Sequence, residues 1–329
     1  MKSMLEAILP WCQPEWLKLK EALQNDRLPH ALLLMGQPGL GKKKLADVLA
    51  HTVLCEKKTA CGHCHSCHLW QAKSHPDFIL IEPLADTQTI KIDQIRAVIE
   101  SVNQTAMLND YRVIIIHPAA SMTLAAANAL LKTLEEPSAK TLIILINDQS
   151  AKLPLTIKSR CQKILLKKPA KIPAMSWLQD QLPNLSIDFE LLLNLSEGAP
   201  LKALALVSEN QLTIREDFYQ GLLNLSINRE NPLDLALKWQ DQNLLFLMQL
   251  LFSFLKDLLW FKLSSGEAVL INTDYAAVFA KLSIETQELV SYLNLVQQRF
   301  NEMGLMQNLN KQLLLEELLI RWTNYYVSG

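Results

Sequence analysis

Four short runs constrain this chain more than any other feature: ALLLM (Ala31–Met35), FILIE (Phe78–Glu82), RVIIIH (Arg112–His117) and TLIILIN (Thr141–Asn147). Each is apolar along almost its whole length. A strand with one face in water alternates apolar and polar residues, so a continuous run means burial on both faces. Helical patterns separate the runs. Lys43–Leu54 has helical spacing, Ile92–Gln104 puts Ile92, Ile95, Ile99 and Val102 on one side, and Thr123–Glu136 is stopped by Pro137. Strands and helices in this order predict a parallel sheet covered on both faces.

The second half contains no such runs. The whole chain's length of 329 residues suggests two or three domains. KKPAKIP (Lys167–Pro173) reads as a hinge, and a small helical segment follows it. From about residue 210 the apolar positions fall at helical spacing, with breaks near Asn231–Pro232, Ser264–Gly266 and Met303–Gly304. The greasiest stretch, Leu244–Leu263, carries Gln249, Lys256 and Asp257. It therefore reads as a buried core helix rather than a membrane span. The first apolar stretch is broken by Glu6 and ends at Pro10, unlike a secretory signal. A soluble, cytoplasmic protein is the expectation. The net charge of −1 gives no global field toward nucleic acid or membranes.

ALLLM runs directly into GQPGLGKKKL. Gly36, Gly39, Gly41 and Lys42 match a phosphate-binding loop, but the next position is Lys43 instead of Ser or Thr. Backbone N–H groups and the helix start would cradle phosphate, with Lys42 at the outer oxygens. Hydrolysis needs a hydroxyl for Mg²⁺ and an acidic pair after a later strand. RVIII ends in His117–Pro118. Hydroxyl and acids are missing together, which predicts no ATP turnover and at most an idle nucleotide.

CEKKTACGHCHSC places Cys55, Cys61, Cys64 and Cys67 at C-x5-C-x2-C-x2-C spacing. Four thiolates this close suit a closed structural zinc site. A C-x2-C pair alone also suits redox exchange. His63, His65 and His68 lie within reach of the same site, so the ligand set stays open. Lys163, Lys167, Lys168 and Lys171 form a basic stretch that reads as a solvated linker.

GQPGLGKK, CGHCHSC, ANALLKTLEEP (Ala127–Pro137) and KSRC (Lys158–Cys161) occur in this order. Together they resemble the clamp-loader branch of the AAA+ ATPases, and within it the bacterial DNA polymerase III loader subunits. Arg299–Trp322 is similar to that family's last collar helices. The resemblance implies a P-loop NTPase-like (AAA+) α/β domain over 1–166 with a zinc module at about 55–67. A small helical lid over 167–208 and an all-α collar over 209–329 would follow.

Two branches of that family compete, the ATP-hydrolysing gamma/tau type and the delta-prime type, whose own site is degenerate. Lys43, His117–Pro118 and Leu201, where a lid arginine would stand, favour the delta-prime branch. The resemblance then implies a stator within the DNA polymerase III holoenzyme. It implies gamma/tau and delta partners, and the sliding clamp and primed DNA through the complex. It makes Arg160 a finger acting in trans on ATP bound by the neighbouring subunit. The alternatives are a gamma/tau-like ATPase and, further off, a zinc-bearing nucleic-acid-binding module.

Overall fold

The computed structural model describes residues 8–84, 87–102, 106–108, 110–137, 140–148, 151–183, 187–264, 269–303 and 310–327. The chain divides into two compact units, Met1–Ala170 and Lys171–Gly329.

The first unit runs α1 (Gln13–Gln24), β1 (Ala31–Gly36), α2 (Lys42–Leu54), α3 (His65–Gln71), β2 (Phe78–Ile81), α4 (Ile92–Val102) and β3 (Arg112–Ile116). It continues with α5 (Leu124–Glu135), β4 (Thr141–Asp148), α6 (Leu155–Lys158) and β5 (Gln162–Leu165). The five strands form one parallel sheet in the order β2-β3-β4-β1-β5. All four apolar runs are strands. Leu33, Ile114, Ile116, Ile143 and Leu145 turn to one face and pack with Ile95, Val98, Ala126, Leu130 and Leu134 of α4 and α5. The alternate residues, Leu32, Leu34, Val113, Ile115, Leu142 and Ile144, are equally buried, and α2 contacts β1, β3 and β4. Double burial is what makes the runs of β1, β3 and β4 continuous; β2, at the sheet edge, is only partly buried, with Leu80 exposed, against the expectation of burial on both faces. This is a parallel α/β sheet with helices packed on both faces.

Thr123 caps α5 by accepting from the Ala126 N–H at 3.2 Å, so the helix starts one residue after the predicted start. The last two residues of the predicted Ile92–Gln104 helix lie outside the described residues.

The second unit is helical: α7 (Lys171–Gln181), α8 (Phe189–Leu195), α9 (Pro200–Ser208), α10 (Gln211–Ser226), α11 (Pro232–Trp239), α12 (Leu244–Leu263), α13 (Ala276–Phe279), α14 (Thr286–Met303) and α15 (Lys311–Val327). Its described residues include two hydrophobic clusters. Ala174, Leu178, Leu192, Leu193 and Ala203 join α7, α8 and α9. A larger cluster joins α10 to α15 around Tyr219, Phe254, Tyr292 and Trp322. The predicted break at Asn231–Pro232 is the start of α11, where Asn231 caps the helix. The breaks expected at Gly266 and Gly304 fall outside the described residues.

Helix α12 is long and apolar enough to cross a membrane by length and composition, yet Leu247, Met248, Leu251, Phe254, Leu255 and Leu258 are buried in the larger cluster. Its one buried acid, Asp257, accepts from the Ile271 and Asn272 N–H groups at 3.1 and 2.6 Å, and from Asn272 Nδ2 at 2.8 Å. Asn272 Oδ1 in turn accepts from Arg215, which forks onto Asp274 at 2.7 and 2.8 Å. A satisfied polar network of this kind fixes which helix faces meet.

Candidate functional site

The phosphate-type loop is built at the end of β1. A side chain at Gly36 would put its Cβ 2.7 Å from the Leu166 carbonyl oxygen, so only glycine fits. Gly41 has φ +86° and caps α2 in the left-handed region. Lys42, the first residue of α2, is only 6% exposed. Its Nζ donates to Gly36 O and Gln37 O at 2.8 Å each and pairs with Asp148 Oδ1 at 2.8 Å. An ammonium has three N–H donors, and these three acceptors use them all. The Trp11 indole N–H donates to Leu40 O at 2.9 Å, and the Cys12 thiol lies 3.5 Å from the same oxygen. Burial, helped by Glu15, pushes the Cys12 thiol up to about 12, so it stays protonated.

Lys43, where a Mg²⁺-binding hydroxyl would stand, turns along α2 to Asp47 at 2.9 and 3.2 Å. Burial raises the Asp47 carboxyl above its ordinary range despite that lysine. At the end of β3, His117 Nδ1 lies 3.5 Å from Glu82 Oε1, and Pro118 follows. Asn147, at the end of β4, donates from Nδ2 to Asp148 O at 2.8 Å and Ala151 O at 3.2 Å. Leu201 lies in the first turn of α9. Asp148 and Asn147 belong to no motif of fixed spacing. Their signal is the pairing of β1 with β4, which sets Asp148 opposite Gly36 and Asn147 opposite Met35.

The four cysteines converge. Their sulfurs all lie within 4.8 Å of one another; Cys55 to Cys64 is 3.9 Å and Cys61 to Cys67 is 3.8 Å. A tetrahedron of sulfurs about 2.3 Å from a zinc ion has edges of about 3.8 Å, so the spacing fits. Backbone N–H groups already point at sulfur, Cys61 N at Cys55 Sγ and Cys67 N at Cys64 Sγ, both 3.4 Å. Burial pushes the Cys55 thiol up, but the N–H groups of Cys61, Thr59 and Lys57 together bring it down to about 6. Burial drives Cys67 strongly the other way. The group could hold a metal ion, and its four members are all cysteine. His63, His65 and His68 are exposed and stand outside it.

A histidine that spacing did not reveal is closer. His51 of α2 brings Nε2 within 3.1 Å of Cys67 Sγ and stacks on Trp70 at 5.2 Å. Burial, with His75 nearby, holds it down to about 4, so the ring is neutral. Trp70 also packs on Phe78 of β2 at 4.6 Å, which ties the module to the sheet.

Arg160 follows α6. Ile157 and Cys161 are buried against the sheet and α5 on either side of it; burial pushes the Cys161 thiol up to about 11. Pinned by these two, the turn leaves Arg160 a third exposed. Its Nη1 donates to Thr156 O at 3.0 Å, and its Nε and Nη2 both meet Glu135 at the end of α5. Lys163, Lys167, Lys168 and Lys171 are exposed, and Lys171 pairs with Glu190.

Residues 13–170 match the family described as "DNA polymerase III, delta subunit", and 209–324 match "DNA polymerase III, delta subunit, C terminal". DNA polymerase III subunit delta' of Pseudomonas aeruginosa is 35% identical over 96% of this chain and 98% of its own. The Escherichia coli protein of the same name is 32% identical over 97% of this chain and 96% of its own. Among solved structures, a DNA polymerase III gamma subunit-related protein from Thermotoga maritima aligns over 94% of this chain and 99% of that one. Its identity is 20% and its TM-score 0.46.

Proposed function

The chain belongs to the DNA polymerase III delta-prime family, and on that premise we propose that it is the clamp-loader subunit that turns over no ATP itself and lends Arg160 to its neighbour. The neighbour is a gamma/tau subunit, with delta as a further partner, and the task is loading the sliding clamp on primed DNA in the cytoplasm. Residues 167–208 act as the lid and 209–329 as the collar that joins the ring.

The observation that carries this reading is the presentation of Arg160. Buried Ile157 and Cys161 hold the turn while the Arg160 side chain stays a third exposed, paired with Glu135. A planar, permanently charged group suits the γ-phosphate, where charge develops as the bond to the β-phosphate breaks. Arginines supplied in trans are worth roughly 10³–10⁵ in rate in other NTPases. The idle state of this chain's own loop has separate support. Lys42 is fully engaged, Lys43 brings a second cation in place of a hydroxyl, and His117–Pro118 brings no acid pair.

Zinc held by Cys55, Cys61, Cys64 and Cys67 would supply a closed tetrahedral staple with no open position for chemistry. Cys55 at the end of α2 and Cys67 within α3 put the staple between two helices of the first unit.

The test is DNA- and clamp-stimulated ATP hydrolysis by a loader reconstituted with gamma/tau and delta, comparing this chain with Arg160→Ala at equal assembly. A fall of tenfold or more is expected, a threshold set well below the roughly 10³–10⁵ that such arginines contribute. Unchanged turnover refutes the finger. Steady hydrolysis by the isolated chain, abolished by Lys42→Ala, would instead favour a gamma/tau-like ATPase.

A further inference from the structure

We propose that Asp148 is a resident anion that closes the phosphate loop, so that this one carboxylate decides whether the loop accepts phosphate. The parallel pairing of β1 and β4 sets Asp148 directly opposite Gly36, the first residue of the loop. From there Oδ1 reaches Lys42 Nζ at 2.8 Å. The other two donors of the ammonium are spent on Gly36 O and Gln37 O, within the loop itself. The third is the one a phosphate oxygen would take, and the carboxylate holds it.

Exposure gives the pair a direction. Lys42 is 6% exposed and Asp148 is 40% exposed. Of the two paired groups, the carboxylate is the one open to solvent. A phosphate arriving from outside meets a negative charge before it meets the cation, and binding requires Asp148 to leave. The same loop without the carboxylate has a buried cation lacking its counter-ion. Such a charge is costly until an anion satisfies it, and the helix start and glycine-rich loop around it favour phosphate.

This inference stands apart from the role of Arg160, which is read from turnover on a neighbouring subunit. It is tested by direct binding to the isolated full-length chain, with pyrophosphate and then ADP as probes, by titration calorimetry at low salt. Asp148→Asn keeps the shape and removes the charge; Asp148→Ala removes both. Both variants are expected to bind pyrophosphate on the order of tenfold or more tighter than wild type, the worth of a charged hydrogen bond. Adding Lys42→Met should abolish the gain.

Variants that melt like wild type and bind no tighter would overturn the proposal, as would a gain that survives Lys42→Met. A further measurement reads the lysine itself. At a pyrophosphate concentration that half-saturates Asp148→Asn, the Lys42 ammonium resonance of the wild-type chain should move far less than that of the variant. An equal shift in the wild type would show an open loop and would equally overturn the proposal.

Discussion

Arg160 and Glu135 form an ion pair that joins the turn after α6 to the last residue of α5. Both ends are partly exposed, so the pair adds no more than about 1 kcal/mol to stability. Its consequence is geometric. With Nε and Nη2 on the carboxylate and Nη1 on Thr156 O, the guanidinium is held in one orientation. Glu135→Ala should leave the melting temperature of the chain nearly unchanged. In a reconstituted loader it should lower ATP turnover by a smaller factor than Arg160→Ala, because a free side chain reaches the productive rotamer only part of the time. Turnover that rises in Glu135→Ala would mean that Glu135 restrains the arginine instead of aiming it.

The thiol cluster predicts about one zinc per chain on metal analysis of purified protein. Cys67→Ser should lose that metal and lower the unfolding midpoint, since structural zinc is worth roughly 10–16 kcal/mol in isolated peptides. A domain with its own large core should lose only part of that. His51, 3.1 Å from Cys67 Sγ, is a supporting contact. His51→Phe should weaken zinc by about 10–100-fold in competition with a chelator, while leaving the metal bound at saturation. Metal-free wild-type protein with unchanged stability would refute the staple.

What the sequence made legible follows from how locally each feature is determined. Strands β1, β3 and β4 announce themselves because burial on both faces demands apolar residues at every position, whereas β2 is an apolar edge strand with Leu80 exposed. Strand β5 does not: Gln162, Lys163 and Leu165 are exposed and only Ile164 is buried. Its character comes from pairing with β1, Leu32 opposite Gln162 through Met35 opposite Leu165. The short helix α3 was hidden because its residues read as a metal motif first. The missing hydroxyl and acids of the loop were visible as letters at fixed spacing. Asp148 was not, because its partner Lys42 is reached through strand register rather than through spacing. The Arg215–Asn272–Asp257 network was illegible for the same reason: it joins α10, α12 and the segment after α12.

His75 gives the first unit a pH dependence of defined sign. It is 5% exposed. Its Nδ1 accepts from the Asp77 N–H at 3.1 Å, so the proton sits on Nε2, which lies 2.7 Å from Ser66 Oγ. Charging the ring would place a second proton against an N–H. Burial lowers the histidine below its ordinary 6.5, although Asp77 pulls it back up. With the folded value below the unfolded one, its contribution is complete above about 6.5 and is lost as pH falls through the folded value. Urea midpoints of zinc-loaded protein should therefore drop between pH 7 and pH 5 more for wild type than for His75→Gln. Equal slopes would contradict the assignment.

Gly221 offers a test in which local propensity and packing predict opposite signs. It lies inside α10, where replacing an exposed glycine by alanine typically gains about 1 kcal/mol. Here a Cβ would fall 2.6 and 2.8 Å from two ring carbons of Trp239, and 3.4 Å from Leu235 Cδ1. The ring has little freedom to retreat. Its Nε1 donates to Asp217 Oδ2 at 2.8 Å, it packs on Phe218 at 4.7 Å, and it is 2% exposed. Overpacking of this kind costs about 1–3 kcal/mol, so Gly221→Ala should destabilise the chain in urea unfolding. The cost should shrink in a Trp239→Phe background, where the clashing ring carbons are gone, and a double-mutant cycle isolates that coupling. A stabilised single variant would mean that helix propensity wins and that the indole has room to move.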